Sequence, residues 1–192
     1  MILGGRSVLP DRDGLPSTSP LPRLTLVLGG ARSGKSRYAE KLIEVAAQSG
    51  LYLATAEARD DEMRERIRHH RARRGPRWTT IEEPLEIGPH LRREVRASRP
   101  ILVDCLTLWL ANVLEAGREA EPACAALLET AAALDGPVVL VANEVGLGIV
   151  PENALARRFR DHAGRLNQAI AAHADRVVFI AAGLPLLLKD LT

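Results

Sequence analysis

Aromatic side chains are scarce in this sequence, with two Trp, two Tyr and two Phe making up 3% of the chain. That argues against stacking platforms for unpaired bases, which need several such rings along one surface. Cysteine is equally scarce. Cys105 and Cys124 have neither metal-site spacing nor enough partners for a disulfide framework, so both are expected to be reduced thiols in a cytoplasmic protein. No run approaches the roughly 20 apolar residues that cross a bilayer, and no membrane span is expected. An excess of one charge is missing too. With 26 basic and 24 acidic residues the formal net charge is +2, so the chain as a whole is not a polyelectrolyte-binding protein and no nucleic-acid partner is expected. Three of the five histidines, His90, His162 and His173, show no metal spacing among themselves. What remains is a 192-residue chain, 46% hydrophobic, with room for one sizeable core.

Residues 1–22 are rich in Pro, Ser, Gly and Asp and lack the apolar core of a signal peptide. They are expected to form a poorly ordered extension ahead of a single domain spanning 23–192. Within that domain, short apolar runs alternate with helical periodicity. Strands are expected at 24–28, 51–56, 78–84, 101–106 and 138–143, with "RVVFIAAG" (176–183) as the last. Helices are expected at 35–48, 60–74, 85–97 and 152–174, and in a tract over 107–134 broken near 117–122. Alternation of this kind implies an α/β fold, a mainly parallel sheet with helices on both faces.

The stretch Gly29-Gly30-Ala31-Arg32-Ser33-Gly34-Lys35-Ser36 matches G-x-x-x-x-G-K-S in full, directly after a strand and before a helix. That context is what a P-loop requires. Glycines let the backbone curl so that its N–H groups converge on phosphate oxygens, and the helix N-terminus adds positive potential. Lys35 is expected to reach the β- and γ-phosphates, and the Ser36 hydroxyl to ligate Mg²⁺. "ILVDCL" places Asp104 at the end of a second apolar strand, where an acid holds the magnesium; a helix N-cap is the alternative role at that position.

The segment "DDEMRERIRHHRARRGPRW" is unusual. From Arg64 to Arg77, the arginines at 64, 66, 68, 71, 73, 74 and 77 stand against a single acid, Glu65. A solvated helix with Glu/Arg pairs, a nucleic-acid contact and a site gathering polyphosphate charge are all open to it. On a helix, His70 shares a stripe with Met63, Ile67 and Arg74, while His69 falls on the side facing water. A neutral imidazole held against the protein near bound nucleotide can attack phosphorus, with arginines stabilising the developing charge. Periodicity points to His70 without deciding between that role and a structural one.

Together, "LGGARSGKSRYAE", the double-histidine segment, "ILVDCLTLWLANVL" and "NEVGLGIVPENALARRFRDHAGRLNQ" closely resemble the bifunctional adenosylcobinamide kinase / adenosylcobinamide-phosphate guanylyltransferase family. The resemblance runs from about residue 24 to 189, and its motifs keep the same order. It implies a RecA-like P-loop nucleoside triphosphate-binding fold and two reactions in cobalamin biosynthesis. The first phosphorylates adenosylcobinamide with ATP or GTP. The second transfers GMP from GTP to adenosylcobinamide phosphate through a covalent guanylyl-histidine, which falls on His70. It further implies nucleotide contacts at residues 29–36, at Ala54, Thr55 and Ala56, and at Arg71, Ala72, Arg73 and Arg74. Glu82 and Asp104 match the remaining nucleotide or metal positions, with Glu82 chosen over its neighbour Glu83. A homotrimer with sites near subunit boundaries is also implied.

Two rivals stand beside this reading. A plain P-loop kinase would not need His70. A nucleic-acid-binding ATPase would put the arginine helix on phosphates and bind with steep salt dependence. Asn143-Glu144, after the fourth long strand, lies where α/β ligands bind and is open to either acceptor or metal contact or to loop capping. The stripe Leu155, Phe159, Ala163, Leu166 and Ile170 has the spacing of a core-facing helix side.

Overall fold

The computed structural model describes residues 21–57, 61, 64, 65, 68 and 74–191. β1 (Leu24–Gly29) opens the fold and is buried throughout. It is followed by α1 (Lys35–Ala46), β2 (Gly50–Ala54), β3 (Trp78–Glu82) and α2 (Ile87–Glu94). Then come β4 (Ile101–Asp104), α3 (Leu106–Glu115), α4 (Ala120–Ala132), β5 (Val138–Asn143), α5 (Ala154–His173), β6 (Arg176–Ala181) and β7 (Leu184–Asp190). The strands form one seven-stranded sheet in the order β3-β2-β4-β5-β1-β6-β7. β1 to β6 pair in parallel and β7 runs antiparallel to β6.

Alternation along the strands builds two cores. Leu24, Leu26 and Leu28 of β1, with Ile101 and Val103 of β4, face α2 to α5. Val27, Leu102, Val139 and Val141 face Tyr38, Leu42 and Ile43 of α1. Strands buried on both faces read as continuous apolar runs, which is why they were legible without period-two alternation. Helices therefore cover both faces, as the sequence implied. Of the expected extension only Leu21 and Pro22 fall among the described residues. Pro22 is buried and Leu21 packs on the core beneath α1.

The break expected near 117–122 is a helix stop. Gly117 has φ 71°, and the Arg118 N–H donates to the Val113 carbonyl at 3.0 Å, closing the end of α3 in the manner of a left-handed C-terminal glycine. α5 starts at Asn153, whose side-chain oxygen accepts the N–H of Leu155 at 2.8 Å and of Ala156 at 3.2 Å.

One expectation is overturned. The strand at 176–183 is not the last, and β6 stops at Ala181. Ala182 (φ 52°) and Gly183 (φ 81°) then make a two-residue turn with both φ positive, the geometry that matches the twist of a hairpin. β7 returns along β6 and carries Pro185, which an edge strand tolerates. Arg176, 3% exposed, pairs with Asp190 at 3.2 Å and fastens the far end of the hairpin.

Replacing Asn153 with Ala should remove the cap of α5 at a cost of about 1 kcal/mol. The thermal midpoint should then fall by roughly 2–4 °C in scanning calorimetry.

Candidate active site

The C-terminal ends of the parallel strands bring the acids into one row. Ala54 is in register with Glu82 on one side and Asp104 on the other, and Asp104 is in register with Val141. Gly29, the first residue of the cradle, pairs with Asn143 at the end of β5. Open α/β sheets bind ligands at this edge.

The cradle itself is closely packed. A Cβ on Gly29 would stand 2.6 Å from both the Ile180 carbonyl oxygen and Ser33 Oγ, so only glycine fits where the chain leaves β1. Arg32 (φ 57°) and Gly34 (φ 98°) take left-handed conformations that fold the loop back toward α1. Lys35 is 6% exposed, and its Nζ donates to the Gly30 carbonyl at 2.9 Å. The Ser33 hydroxyl is buried with no hydrogen-bond partner among the described residues, an orphaned polar atom of the kind that an anion satisfies. Gly30, Ala31 and Ser36 complete the loop, with Ala31 exposed and Ser36 part-buried at the first turn of α1. The far side of the loop rests on the β6–β7 turn, where the Gly183 N–H donates to the Ser33 carbonyl at 2.9 Å.

Asp104 is oriented by a residue that sequence reasoning missed. The Tyr52 hydroxyl, on the neighbouring strand, donates to Asp104 Oδ2 at 2.8 Å. Burial, and then the adjacent Asp104 charge, push the Tyr52 phenol upward, so it stays a donor at all physiological pH. The Arg74 guanidinium lies over the Tyr52 ring, its carbon 3.3 Å from the centroid. Its Nε and Nη1 are buried with no hydrogen-bond partner among the described residues. Arg74, Tyr52 and Asp104 therefore form a stack from the end of the double-histidine segment to the strand-end acid. Ser36 and Asp104 are hard oxygen donors at the two sides of the cradle, a set that suits a small divalent cation completed by phosphate and water.

The Thr55 side chain holds the sheet together. Its hydroxyl donates to the Cys105 carbonyl at 2.8 Å and accepts the Cys105 N–H at 2.7 Å, latching the ends of β2 and β4. Asn112 Nδ2 donates to the Thr55 carbonyl at 2.8 Å. Any contact with nucleotide from Ala54, Thr55 and Ala56 thus falls to backbone or to the residues on either side. Cys105 is not a nucleophile here: burial, then Asp104, pushes its thiol up to about 11.

The two adjacent acids, Glu82 and Glu83, differ in their contacts. Glu83 Oε1 accepts the N–H groups of Leu85 at 2.9 Å and Glu86 at 2.8 Å, while Oε2 lies 3.4 Å from His90. Its partial burial is outweighed by the N–H groups of Glu86 and Leu85 and by His90, which hold the carboxyl below its usual range. Glu83 is committed to the loop, and Glu82 is the exposed acid at the strand end. Glu144 Oε1 accepts the Gly146 N–H at 2.6 Å, a loop-capping contact.

The arginine run divides by task. Arg64 pairs with Asp61 at 3.2 Å and Arg68 pairs with Glu65, each three residues away on a helical surface. Arg77 donates to the Gln48, Ala47 and Glu44 carbonyls at 2.9, 2.6 and 3.1 Å and closes the end of α1. His69, His70, Arg71, Ala72 and Arg73 lie outside the described residues.

Residues 25–188 match the family described as cobinamide kinase / cobinamide phosphate guanyltransferase. The chain belongs to that family. It is 54% identical over 169 residues to the bifunctional adenosylcobalamin biosynthesis protein CobP of Pseudomonas aeruginosa, covering 85% of this chain and 96% of that protein. Against the bifunctional adenosylcobalamin biosynthesis protein CobU of Salmonella typhimurium the identity is 42% over 181 residues, 86% of this chain and 99% of that protein. The chain is accordingly an enzyme, a cobinamide kinase and cobinamide phosphate guanyltransferase. Among solved structures, the flagellar accessory protein FlaH of Methanocaldococcus jannaschii superposes with a TM-score of 0.51 at 14% identity, over 91% of this chain and 81% of that one. A type III secretion ATPase from pathogenic bacteria does so with 0.53 at 11% identity, over 89% of this chain and 57% of that one. At such identities the likeness establishes the RecA-like P-loop fold alone.

Within this family setting the Tyr52 contact has a measurable consequence. Tyr52→Phe should raise the Mg²⁺ concentration for half-maximal binding of a fluorescent GTP analogue roughly fivefold, the equivalent of about 1 kcal/mol for one lost hydrogen bond. An unchanged requirement would assign Asp104 to starting α3.

Proposed function

We propose that the two reactions of this enzyme share the P-loop and are separated by a covalent step on His70. The observation that supports this reading is the tight cradle from Gly29 to Ser36, whose close packing favours one pose for a triphosphate. In that pose the γ-phosphorus faces an in-line acceptor, whereas guanylyl transfer requires attack at the α-phosphorus. A relay nucleophile resolves the conflict.

In the kinase step the aminopropanol hydroxyl of adenosylcobinamide attacks the γ-phosphorus of ATP or GTP, and the nucleoside diphosphate leaves. Lys35 and the loop N–H groups hold the phosphate charge. Ser36 and Asp104 would hold Mg²⁺, which would supply charge neutralisation on the phosphates. In the transferase step a neutral His70 nitrogen attacks the α-phosphorus of GTP. A P–N bond forms, the bond to the bridging oxygen breaks, and pyrophosphate leaves. A phosphate oxygen of adenosylcobinamide phosphate then attacks the same phosphorus and displaces the imidazole, giving adenosylcobinamide-GDP. Arg71, Ala72, Arg73 and Arg74 follow the histidine and meet the nucleotide, with Ala54, Thr55, Ala56 and Glu82 along its other side. The stacked position of Arg74 over Tyr52 supports its part in this.

The nucleic-acid rival loses ground on the arginines. Arg64, Arg68 and Arg77 are engaged with acids or with the end of α1. No described helix is long and apolar enough to cross a membrane. We place the enzyme in the cytoplasm, where its nucleotides and reduced cysteines belong. A homotrimer is supported by the edge strand β7, which exposes Leu184, Leu186, Leu187 and Leu188 at 55–70%.

Incubation with Mg²⁺ and GTP, followed by intact-mass measurement at alkaline pH, should give a GMP-sized gain on the wild type and none on His70→Ala. A gain on both would move the nucleophile to another residue. Absence of any gain, with GTP shown to bind, would leave a plain kinase.

A further inference from the structure

α5 carries a glycine that the packing of the protein does not explain. Gly164 sits midway along a 20-residue helix, where glycine is less favourable than alanine because it loses more backbone freedom. A Cβ built on Gly164 meets nothing within 4 Å, and its φ is not in the left-handed region. Neither crowding nor backbone conformation requires it. What lies above it is a cleft of about 580 Å³ between α5 and the loop after β5, and Gly164 is part of its lining.

The cleft opens beside the phosphate cradle without being part of it. None of its lining residues comes from 29–36, yet Leu28 is the residue just before the loop. Glu144, at the same end, donates its N–H to the Gly29 carbonyl at 3.1 Å. Leu28, Leu147 and Ala171 supply apolar wall, Gln168 an amide, Arg165 a cation, and Arg160 a second one paired with Asp161 of the same lining at 3.0 Å. Leu147 of the lining is 81% exposed, and Ile149, two residues further along the same loop, 98%.

We infer that this cleft receives the corrinoid acceptor, with Gly164 leaving the helix backbone bare so that the macrocycle lies flat against it. The chemistry matches on three counts. A corrin ring presents broad apolar faces edged by amide side chains, and the cleft offers both kinds of partner. The acceptor's short arm must reach the cradle to be phosphorylated, and the Leu28 and Glu144 end touches it. The acceptor of the second reaction bears a phosphate, toward which Arg165, only 4.0 Å from Glu121, and Arg160, shared with Asp161, can turn. Volume agrees: the cleft is within the range of small-molecule sites, and its open side accommodates the rest of a large ligand. The inference rests on the family's cobinamide being the acceptor, and deepens that reading by naming where it binds.

Two variants test it. Gly164→Ala adds one methyl to open space and should raise the thermal midpoint by roughly 2–4 °C, showing that the helix tolerates a side chain there. Gly164→Phe should weaken binding of dicyanocobinamide at least tenfold, read from corrin absorbance in equilibrium dialysis, while the affinity for a fluorescent GTP analogue changes less than twofold. Formation of the GMP adduct with GTP alone reports separately on the covalent chemistry, so loss of that adduct in the wild type would count against the histidine relay and not against the cleft. Unchanged cobinamide binding in Gly164→Phe would overturn the inference. Equal losses of cobinamide and GTP would give the cleft to the nucleotide, and a changed oligomeric state with cobinamide binding intact would give it to a second copy of the chain.

Discussion

Everything at the nucleotide end of this protein depends on one close approach, the backbone of Gly29 against the Ile180 carbonyl and the Ser33 hydroxyl. A side chain there would stand 2.6 Å from each. Because β1 lies inside the sheet, flanked by β5 and β6, the chain must leave it through a gap only as wide as a backbone. That narrowness turns the loop back on itself, directs Lys35 inward and starts α1 at the loop, where a helix N-terminus favours an anion. The β6–β7 turn closes the other side through Gly183. The edge hairpin is thus part of the support of the cradle as well as the end of the sheet.

Around that fixed point, cross-strand contacts place the rest. Thr55 ties β2 to β4 through both the N–H and the carbonyl of Cys105, and Tyr52 aims Asp104 from the adjacent strand. The same tyrosine ring carries Arg74, so the strand-end acid Asp104 and the arginine that follows the histidines share one support. An enzyme that transfers two different phosphorus atoms needs its second nucleophile to keep a set distance from the first site. The stack of Asp104, Tyr52 and Arg74 runs from the strand end to the end of the double-histidine segment.

Much of this was legible in the sequence, and the exceptions have physical causes. The glycine-lysine-serine loop and the apolar strands announce themselves because each depends on neighbours in the chain. β7 did not, since its turn uses Ala182-Gly183 in place of Asn-Gly or Asp-Gly and its Pro185 argues against a strand. Tyr52 was read as an apolar strand residue because its partner, Asp104, is distant in sequence and meets it only across the sheet. Arg77 looked like one more charge in a basic run until the end of α1 arrived beside it. Glu82 and Glu83 could be told apart only by the N–H groups that Glu83 accepts. Gly164 carries no local signal of any kind; its meaning lies in the empty space above it.

The central claim is that one cradle serves two transfers, one direct and one through the protein. GTP labelled at either the α- or the γ-phosphorus, mixed with enzyme and cobinamide and quenched over a single turnover, follows each atom separately. The account predicts that γ-label passes straight to the acceptor while α-label resides on the protein before it reaches product. α-Label that enters product without ever residing on the protein would contradict it.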